Sequence, residues 1–199
     1  MPVAEAVVGA SVRYGRAELV TLALEDGSPV LLDRRRVELI DADLPIAPYH
    51  HEALELEIEA AADLVHRVRR SVEVRASEAL SALTTACPAQ VLILPESPYG
   101  SLPESLEEVL ASPRLTLAAD GMLYRESLAG AAAALGLEVR RFPRETDSAA
   151  LAAAAMGADP AEVTGLITRL GRAAGPPWRK DHKTAAAAAL SVLGPRTRR

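Results

Sequence analysis

The chain opens on short β-prone segments separated by turn residues. Two such segments span 4–12 and 17–24, and a third, 29–40, follows the turn Glu25-Asp26-Gly27-Ser28. An Asp-Gly pair between apolar runs is a strong hairpin signal, because the backbone conformations of tight hairpin turns suit Gly, Asn and Asp. We therefore expect three consecutive antiparallel strands, the third of which ends at a loop that contains two prolines.

A long amphipathic helix is predicted next. From about Glu52 to Leu83, apolar residues recur at spacings of three, four or seven, and most charged residues fall on other faces. The first part of this helix is acidic and the second part is basic, with His66, Arg67, Arg69, Arg70 and Arg75. This order suits the helix dipole, so the basic segment is interpreted either as a solvated face or as an edge that contacts phosphate.

Strands and helices alternate in the second half of the chain. The apolar run 91–94 is typical of a strand buried on both faces, and it places Glu96 at the carboxyl end of that strand, where open α/β sheets bind ligands. A helix over 103–110, a short strand or extended segment over 115–119 closed by Asp120-Gly121, a helix over 122–135 and a last strand over 138–142 follow. This alternation predicts a parallel extension of the sheet with helices on its faces.

Three further helices are predicted at the end of the chain. The first two begin at Asp147 or Ser148 and at Asp159, and the last begins near Asp181 after a Gly/Pro connector that carries Trp178. Asp181 suits a helix start, because a carboxylate there accepts from free N–H groups and complements the dipole. The alanines of this last helix predict close packing against its neighbour. We expect one domain over 1–193 and a basic tail over 194–199.

Composition narrows the function classes. A net charge of −5 argues against a broadly basic nucleic-acid surface, although it allows a local basic patch. The single cysteine, Cys87, excludes an intrachain disulfide and fits a reducing compartment. The sequence has no convincing targeting signal and no apolar run long enough to span a bilayer, so we expect a cytoplasmic protein without a membrane partner.

The order of elements resembles the RNase H-like fold, and its second half is most similar to the RuvC-type resolvase branch. This resemblance implies an α/β protein with a mixed sheet, three antiparallel strands followed by parallel strands, and helices on both faces. In that family, an Asp on the first strand, a Glu at the end of the fourth strand and one or two Asp residues on the last helix hold two divalent metals. Paired metals activate water and stabilise the leaving oxygen in phosphodiester cleavage.

The resemblance implies specific site residues. Glu96 matches the fourth-strand acid and Asp181 matches the start of the last-helix motif, so both are candidate catalytic residues and ligands for Mg²⁺ or Mn²⁺. Ser11 stands where the family has its first-strand Asp, and Thr184 stands where it has the second helix Asp. Asp120 is a candidate third catalytic acid, and a turn or a helix cap explains it equally well.

Three functions follow from these features. The first is a divergent RuvC-like protein that binds DNA or RNA through Arg179, Lys180, His182 and Lys183, with nuclease activity weakened or lost. The second is a noncatalytic scaffold of the same fold, with the long helix or the Ala-rich helices joining copies in a homo-oligomer. The third is an enzyme of another class, with His182 as a general base beside the candidate acids. Convergence of Glu96, Ser11 and Asp181 within metal-bridging distance would favour the nuclease-like function, whereas carboxylates that face different ways would favour the scaffold.

Overall fold

The sheet contains five strands in the computed structural model, which describes residues 6–97, 100–143 and 146–193. The strands are β1 (Val7–Arg13), β2 (Arg16–Glu25), β3 (Ser28–Glu38), β4 (Val91–Pro95) and β5 (Glu138–Phe142). They lie in the order β3-β2-β1-β4-β5. The first three strands pair antiparallel, and β4 and β5 extend the sheet in parallel beside β1. The predicted mixed α/β sheet is therefore confirmed.

Helices cover both faces of this sheet. They are α1 (Ile58–Ala86), α2 (Leu106–Leu110), α3 (Pro113–Ala134), α4 (Ser148–Met156), α5 (Pro160–Ala174) and α6 (Lys180–Leu193). One core cluster joins α1 and α3 to one face, and a second joins α4, α5 and α6 to the other. None of the helices in the described ranges is long and apolar enough to cross a membrane.

Alternation along β1 fixes which residues meet which helices. Val8, Ala10 and Val12 pack into the core with α1 and α3, whereas Val7 packs with α6. Gly9 shares the α6 face, and a Cβ built on it would lie only 1.9 Å from the carbonyl oxygen of Ala185. The alanine-rich helix thus lies directly on the backbone of β1, as its composition predicted. This close approach determines what the residues at the end of β1 can contact.

The prediction of a strand or extended segment over 115–119 was wrong. These residues belong to α3, which runs without a break from Pro113 to Ala134 and includes Asp120 and Gly121. Its start carries a proline in the first turn, a position that favours helix initiation.

Several helix bounds also differ from those predicted. The long helix begins at Ile58, after a separate 3₁₀ turn over Glu52–Glu55, because Leu56 and Glu57 are extended. The second helix is confined to Leu106–Leu110, and the helix predicted from Asp159 to about Leu170 continues to Ala174. The predicted basic tail lies outside the described residues.

Candidate functional site

A cleft of about 740 Å³ opens at the carboxyl ends of β1 and β4. Its lining comes from the turn between β1 and β2, from the end of β4, from α3 and from the first turns of α4 and α6. Parallel neighbours β1 and β4 end on the same edge of the sheet, so this is the edge at which α/β proteins usually bind ligands.

Asp181 meets Ser11 and Arg13 beside this cleft. Arg13 donates from Nη2 and Nε to Oδ1 of Asp181 at 2.6 and 3.2 Å, and the Ser11 hydroxyl donates to the same oxygen at 3.3 Å. Ser11 and Arg13 alternate with the core residues of β1, so both lie on the α6 face of the strand. Hydrogen bonding to Arg13 lowers the pKa of Asp181, and the carboxylate in turn raises the pKa of Arg13.

The charged residues that line the cleft are mainly cationic. Among its described lining residues are Arg13, Arg16, Arg125 and Lys180, against one carboxylate, Asp147. Asp147 caps α4 by accepting from the Ala149 N–H at 2.9 Å. Arg125 is largely buried and donates to the Gly121 carbonyl at 2.9 Å. The cleft is thus electropositive in a chain whose net charge is −5.

Glu96 lies next to this cleft. It is exposed directly after β4, and its N–H donates to the Phe142 carbonyl at 2.8 Å, which continues the pairing with β5. Its neighbour Pro95 belongs to the lining, whereas Glu96 does not. The fold therefore brings Ser11 and Asp181 into contact and leaves Glu96 at the rim.

Asp120 occupies a different environment. It is fully buried in α3, and its two carboxylate oxygens accept from the backbone N–H groups of Tyr49 and His50, each at 3.1 Å. Burial raises the pKa of Asp120 to about 6, with partial compensation from these two hydrogen bonds. The carboxylate fastens the loop after β3 to α3 and does not line the cleft.

His182 lies on the side of α6 that packs against β2, and only 5% of its surface is exposed. Its Nε2 lies 3.2 Å from Oε2 of Glu18, its Nδ1 accepts from the Arg179 N–H at 3.2 Å, and its ring stacks on Trp178 at 5.7 Å between centroids. Desolvation lowers the pKa of His182. The imidazole thus points away from the cleft, into the packing of α6.

The other residues of the predicted basic cluster separate from one another. Lys180 lines the cleft, whereas Arg179 and Lys183 are exposed outside it, and Lys183 borders a shallow depression beside Trp178. Sequence reasoning did not single out Arg13 and Arg16. The two-residue alternation of side chains along a strand could have identified Arg13 as a site residue, because Arg13 lies two positions after Ser11 and must share its face of β1.

These residues do not fit a pair of divalent metal ions. The carboxylate of Asp181 is already bonded to the guanidinium of Arg13, and Ser11 and Thr184 supply neutral hydroxyls at the two positions where the resembled family has carboxylates. A cation placed at Asp181 would also face the positive charge of Arg13 at short range. Within the described ranges, no three His, Cys, Asp or Glu side chains form a group that could hold a metal ion.

The fold has counterparts among solved structures. The RuvC of Thermus thermophilus in complex with a Holliday junction substrate matches 94% of this chain and 91% of its own, with a TM-score of 0.55 and 15% identity. A second structure of RuvC from this organism matches the same shares of the two chains, with a TM-score of 0.54 and 13% identity. No protein-family model and no curated protein matches the sequence. The chain therefore has the RNase H-like fold in the form that RuvC has.

Proposed function

We propose that this chain is a nucleic-acid-binding protein that holds phosphate groups in the cationic cleft and does not cleave them by two-metal chemistry. The observation that carries this proposal is the ion pair between Arg13 and Asp181. The guanidinium of Arg13 is bonded to the Asp181 carboxylate, which the family resemblance assigns to metal binding. The cleft beside this ion pair is lined by further cations.

The likeness to RuvC supports a nucleic-acid partner. One matching structure is a complex with a Holliday junction, and its fold spans nearly the whole of both chains. In this chain, the cleft at the carboxyl ends of β1 and β4 carries arginine and lysine side chains. Arginine presents a planar fork of N–H donors that matches the oxygens of a phosphate, and lysine adds a point charge. The cleft therefore suits a phosphodiester backbone.

Asp181 acts in this proposal as an internal partner of Arg13. Its carboxylate orients the guanidinium at the edge of the cleft while no phosphate is bound, and the Ser11 hydroxyl donates to the same oxygen. An incoming phosphate competes with the carboxylate for the donors of Arg13. Arg16 and Lys180 add charge on the same rim, so the phosphate meets several cations at once.

The proposal is tested with a charge-removing triple variant of the cleft, Arg13→Gln, Arg16→Gln and Lys180→Gln. Anisotropy of a labelled oligothymidylate of about 12 nucleotides gives the affinity at several salt concentrations. Loss of up to three phosphate contacts should reduce the salt slope by up to roughly 2 and weaken binding by roughly tenfold to a hundredfold.

A matched triple variant on other surfaces serves as the control. Arg67→Gln, Arg70→Gln and Arg169→Gln remove the same charge from exposed positions of α1 and α5. We expect this variant to retain nearly wild-type affinity and salt slope. A larger loss in the control than in the cleft variant would move the phosphate contacts to the basic segment of α1 and contradict the proposal.

The alternative is a noncatalytic module that associates with a second copy of itself. A groove of about 590 Å³ between α1 and α3 favours it, because small residues such as Gly130, Ala131 and Ala134 border it and would let another helix approach closely. This alternative would be supported over the phosphate-binding cleft if wild-type protein bound neither DNA nor RNA and had the mass of an oligomer in size-exclusion chromatography with light scattering.

A further inference from the structure

The cationic cleft has an apolar wall that phosphate binding does not explain. Tyr14, Ile46 and Leu117 line it, and they are 39%, 53% and 41% exposed. They come from three separate segments: the turn between β1 and β2, the loop after β3, and the second turn of α3. Three large apolar side chains therefore line one cleft together with arginines and are clustered, unlike isolated exposed residues.

Hydrogen bonds and ring contacts hold this wall in place. The Tyr14 hydroxyl donates to the Leu117 carbonyl at 3.3 Å, and its ring stacks on that of Tyr124, with centroids 6.3 Å apart and planes 29° apart. Tyr124 is fully buried, and its hydroxyl donates to the Ile46 carbonyl at 2.7 Å. The wall is thus ordered before any ligand arrives, which lowers the entropic cost of binding.

The wall and the cations offer two different kinds of contact within one cleft. Arg13 and Tyr14 both line the cleft at the end of β1, where Arg13 is bonded to Asp181 of α6 and Tyr14 contacts Leu117 and Tyr124 of α3. A nucleotide matches this pair, because its phosphate is anionic and its base has a flat apolar face. Single-strand-binding sites combine these two contacts, and base stacking on an aromatic ring tolerates any sequence.

The size of the cleft favours an unpaired nucleotide over continuous duplex. A volume of about 740 Å³ lies within the range of sites that hold one small ligand. Bases within a duplex are stacked on their neighbours and do not present their faces to a protein. A base can reach the wall only where it is single-stranded, bulged or at a frayed end.

Resting on the proposed function, we infer that the cleft selects an unpaired nucleotide, with its phosphate on the Arg13 side and its base against the wall of Tyr14, Ile46 and Leu117. This assigns the partner of the cleft as single-stranded nucleic acid or a junction with unpaired bases. The cations then set the salt dependence of binding, and the wall sets the preference for bases.

The test compares three probes with the same number of phosphates per strand: the oligothymidylate, an abasic strand and a continuous duplex. A stacked base is worth roughly 1–3 kcal/mol, or about fivefold to 150-fold in affinity. The affinity of wild type for oligothymidylate should therefore exceed its affinity for the abasic strand by that factor. The duplex should bind no more tightly than the abasic strand. Equal affinity for all three probes would overturn the inference while leaving phosphate binding in place.

Substitutions of the wall localise the effect. Tyr14→Ala should reduce oligothymidylate affinity toward that of the abasic strand, whereas Tyr14→Phe should retain the preference. Ile46→Ser removes a second apolar side chain of the wall and leaves the Tyr14 ring in place. Val74→Ala, at an exposed position of α1, is the matched control. Wild-type preference in both Tyr14→Ala and Ile46→Ser would overturn the inference. Failure of wild type to bind even oligothymidylate would instead defeat the proposed function.

Discussion

Arg13 and Asp181 lie 168 positions apart in the chain, yet they form an ion pair beside the cleft. An aspartate at position 11 would place a second carboxylate beside Asp181, where each acid would raise the pKa of the other unless a cation joined them. Ser11 removes that carboxylate and Arg13 supplies the cation. Under the proposed function, these single-residue differences on one face of β1 replace a metal-binding set of residues with one that would bind phosphate.

Asp120 yields a prediction for stability at the residue scale. Asp120→Ala leaves the N–H groups of Tyr49 and His50 without their acceptors, and each buried unsatisfied donor costs roughly 1–3 kcal/mol. We expect the free energy of unfolding to fall by about 2–4 kcal/mol near pH 5, as measured by urea denaturation. Asp63→Ala, at an exposed position of α1, should change it little.

The same residue makes a prediction for pH dependence. The folded pKa of Asp120, about 6, lies above its ordinary value of 3.8, so its contribution to stability is fully present below about pH 4 and is lost as pH rises through about 6. The lowered pKa values of Asp181 and His182 act in the opposite direction. The wild-type advantage over Asp120→Ala should therefore shrink between pH 4 and 7, and an advantage that grows with pH would contradict this assignment.

At the scale of elements, the contact between α6 and β1 positions Asp181 over the end of the strand. Gly9 permits this contact, because any Cβ there would collide with the backbone of Ala185. A displaced α6 would carry Asp181 away from Ser11 and Arg13. The alanine run and the glycine thus serve the site as well as the core.

Gly9→Ala should therefore destabilise the fold strongly. Overpacking usually costs about 1–3 kcal/mol, and we expect a loss at the upper end of this range or beyond, because the clash is with backbone. The matched control is Gly130→Ala on α3, where a Cβ meets nothing within 4 Å and helix propensity should add roughly 0.5–1 kcal/mol. Thermal unfolding of both variants measures the difference, and equal midpoints would argue against direct helix-on-strand packing.

Sequence patterns predicted most of the elements because the helices and strands carry clear periods and caps. They failed at 115–119, where Leu-Thr-Leu-Ala-Ala is too short an apolar run to separate a strand from a buried helix turn. Asp120-Gly121 then suggested a turn. In the structure, the Arg125 side chain covers Gly121 within the helix, a tertiary contact that the local sequence does not encode.

The site was less predictable than the fold. The family resemblance identified Ser11 and Asp181, and the structure brings them together. The period of β1 places Arg13 on the face of Ser11, but its bond to Asp181 depends on how α6 is seated. His182 was grouped with neighbouring cations by sequence, whereas the turn of α6 buries it against Glu18. The wall of Tyr14, Ile46 and Leu117 joins three distant segments and has no local signature.

At the scale of the whole molecule, the overall negative charge contrasts with the local positive charge of the cleft. The net charge of the chain is −5, whereas the cleft at the end of β1 is lined, among the described residues, by three arginines and a lysine. Under the proposed function, a polyanion would be held at this location and only weakly elsewhere. The sheet and its two helical layers serve chiefly to bring the ends of β1, β4 and α6 to that location.

The most direct test of this account is the affinity of wild type and Asp181→Asn for oligothymidylate, measured in EDTA and in Mg²⁺ with strand integrity checked in the same samples. Releasing Arg13 from its carboxylate partner should strengthen binding by roughly twofold to tenfold in both solutions, with all strands intact. The account would be contradicted if wild type required Mg²⁺ to bind or cleaved the strand, and if Asp181→Asn abolished that metal-dependent behaviour.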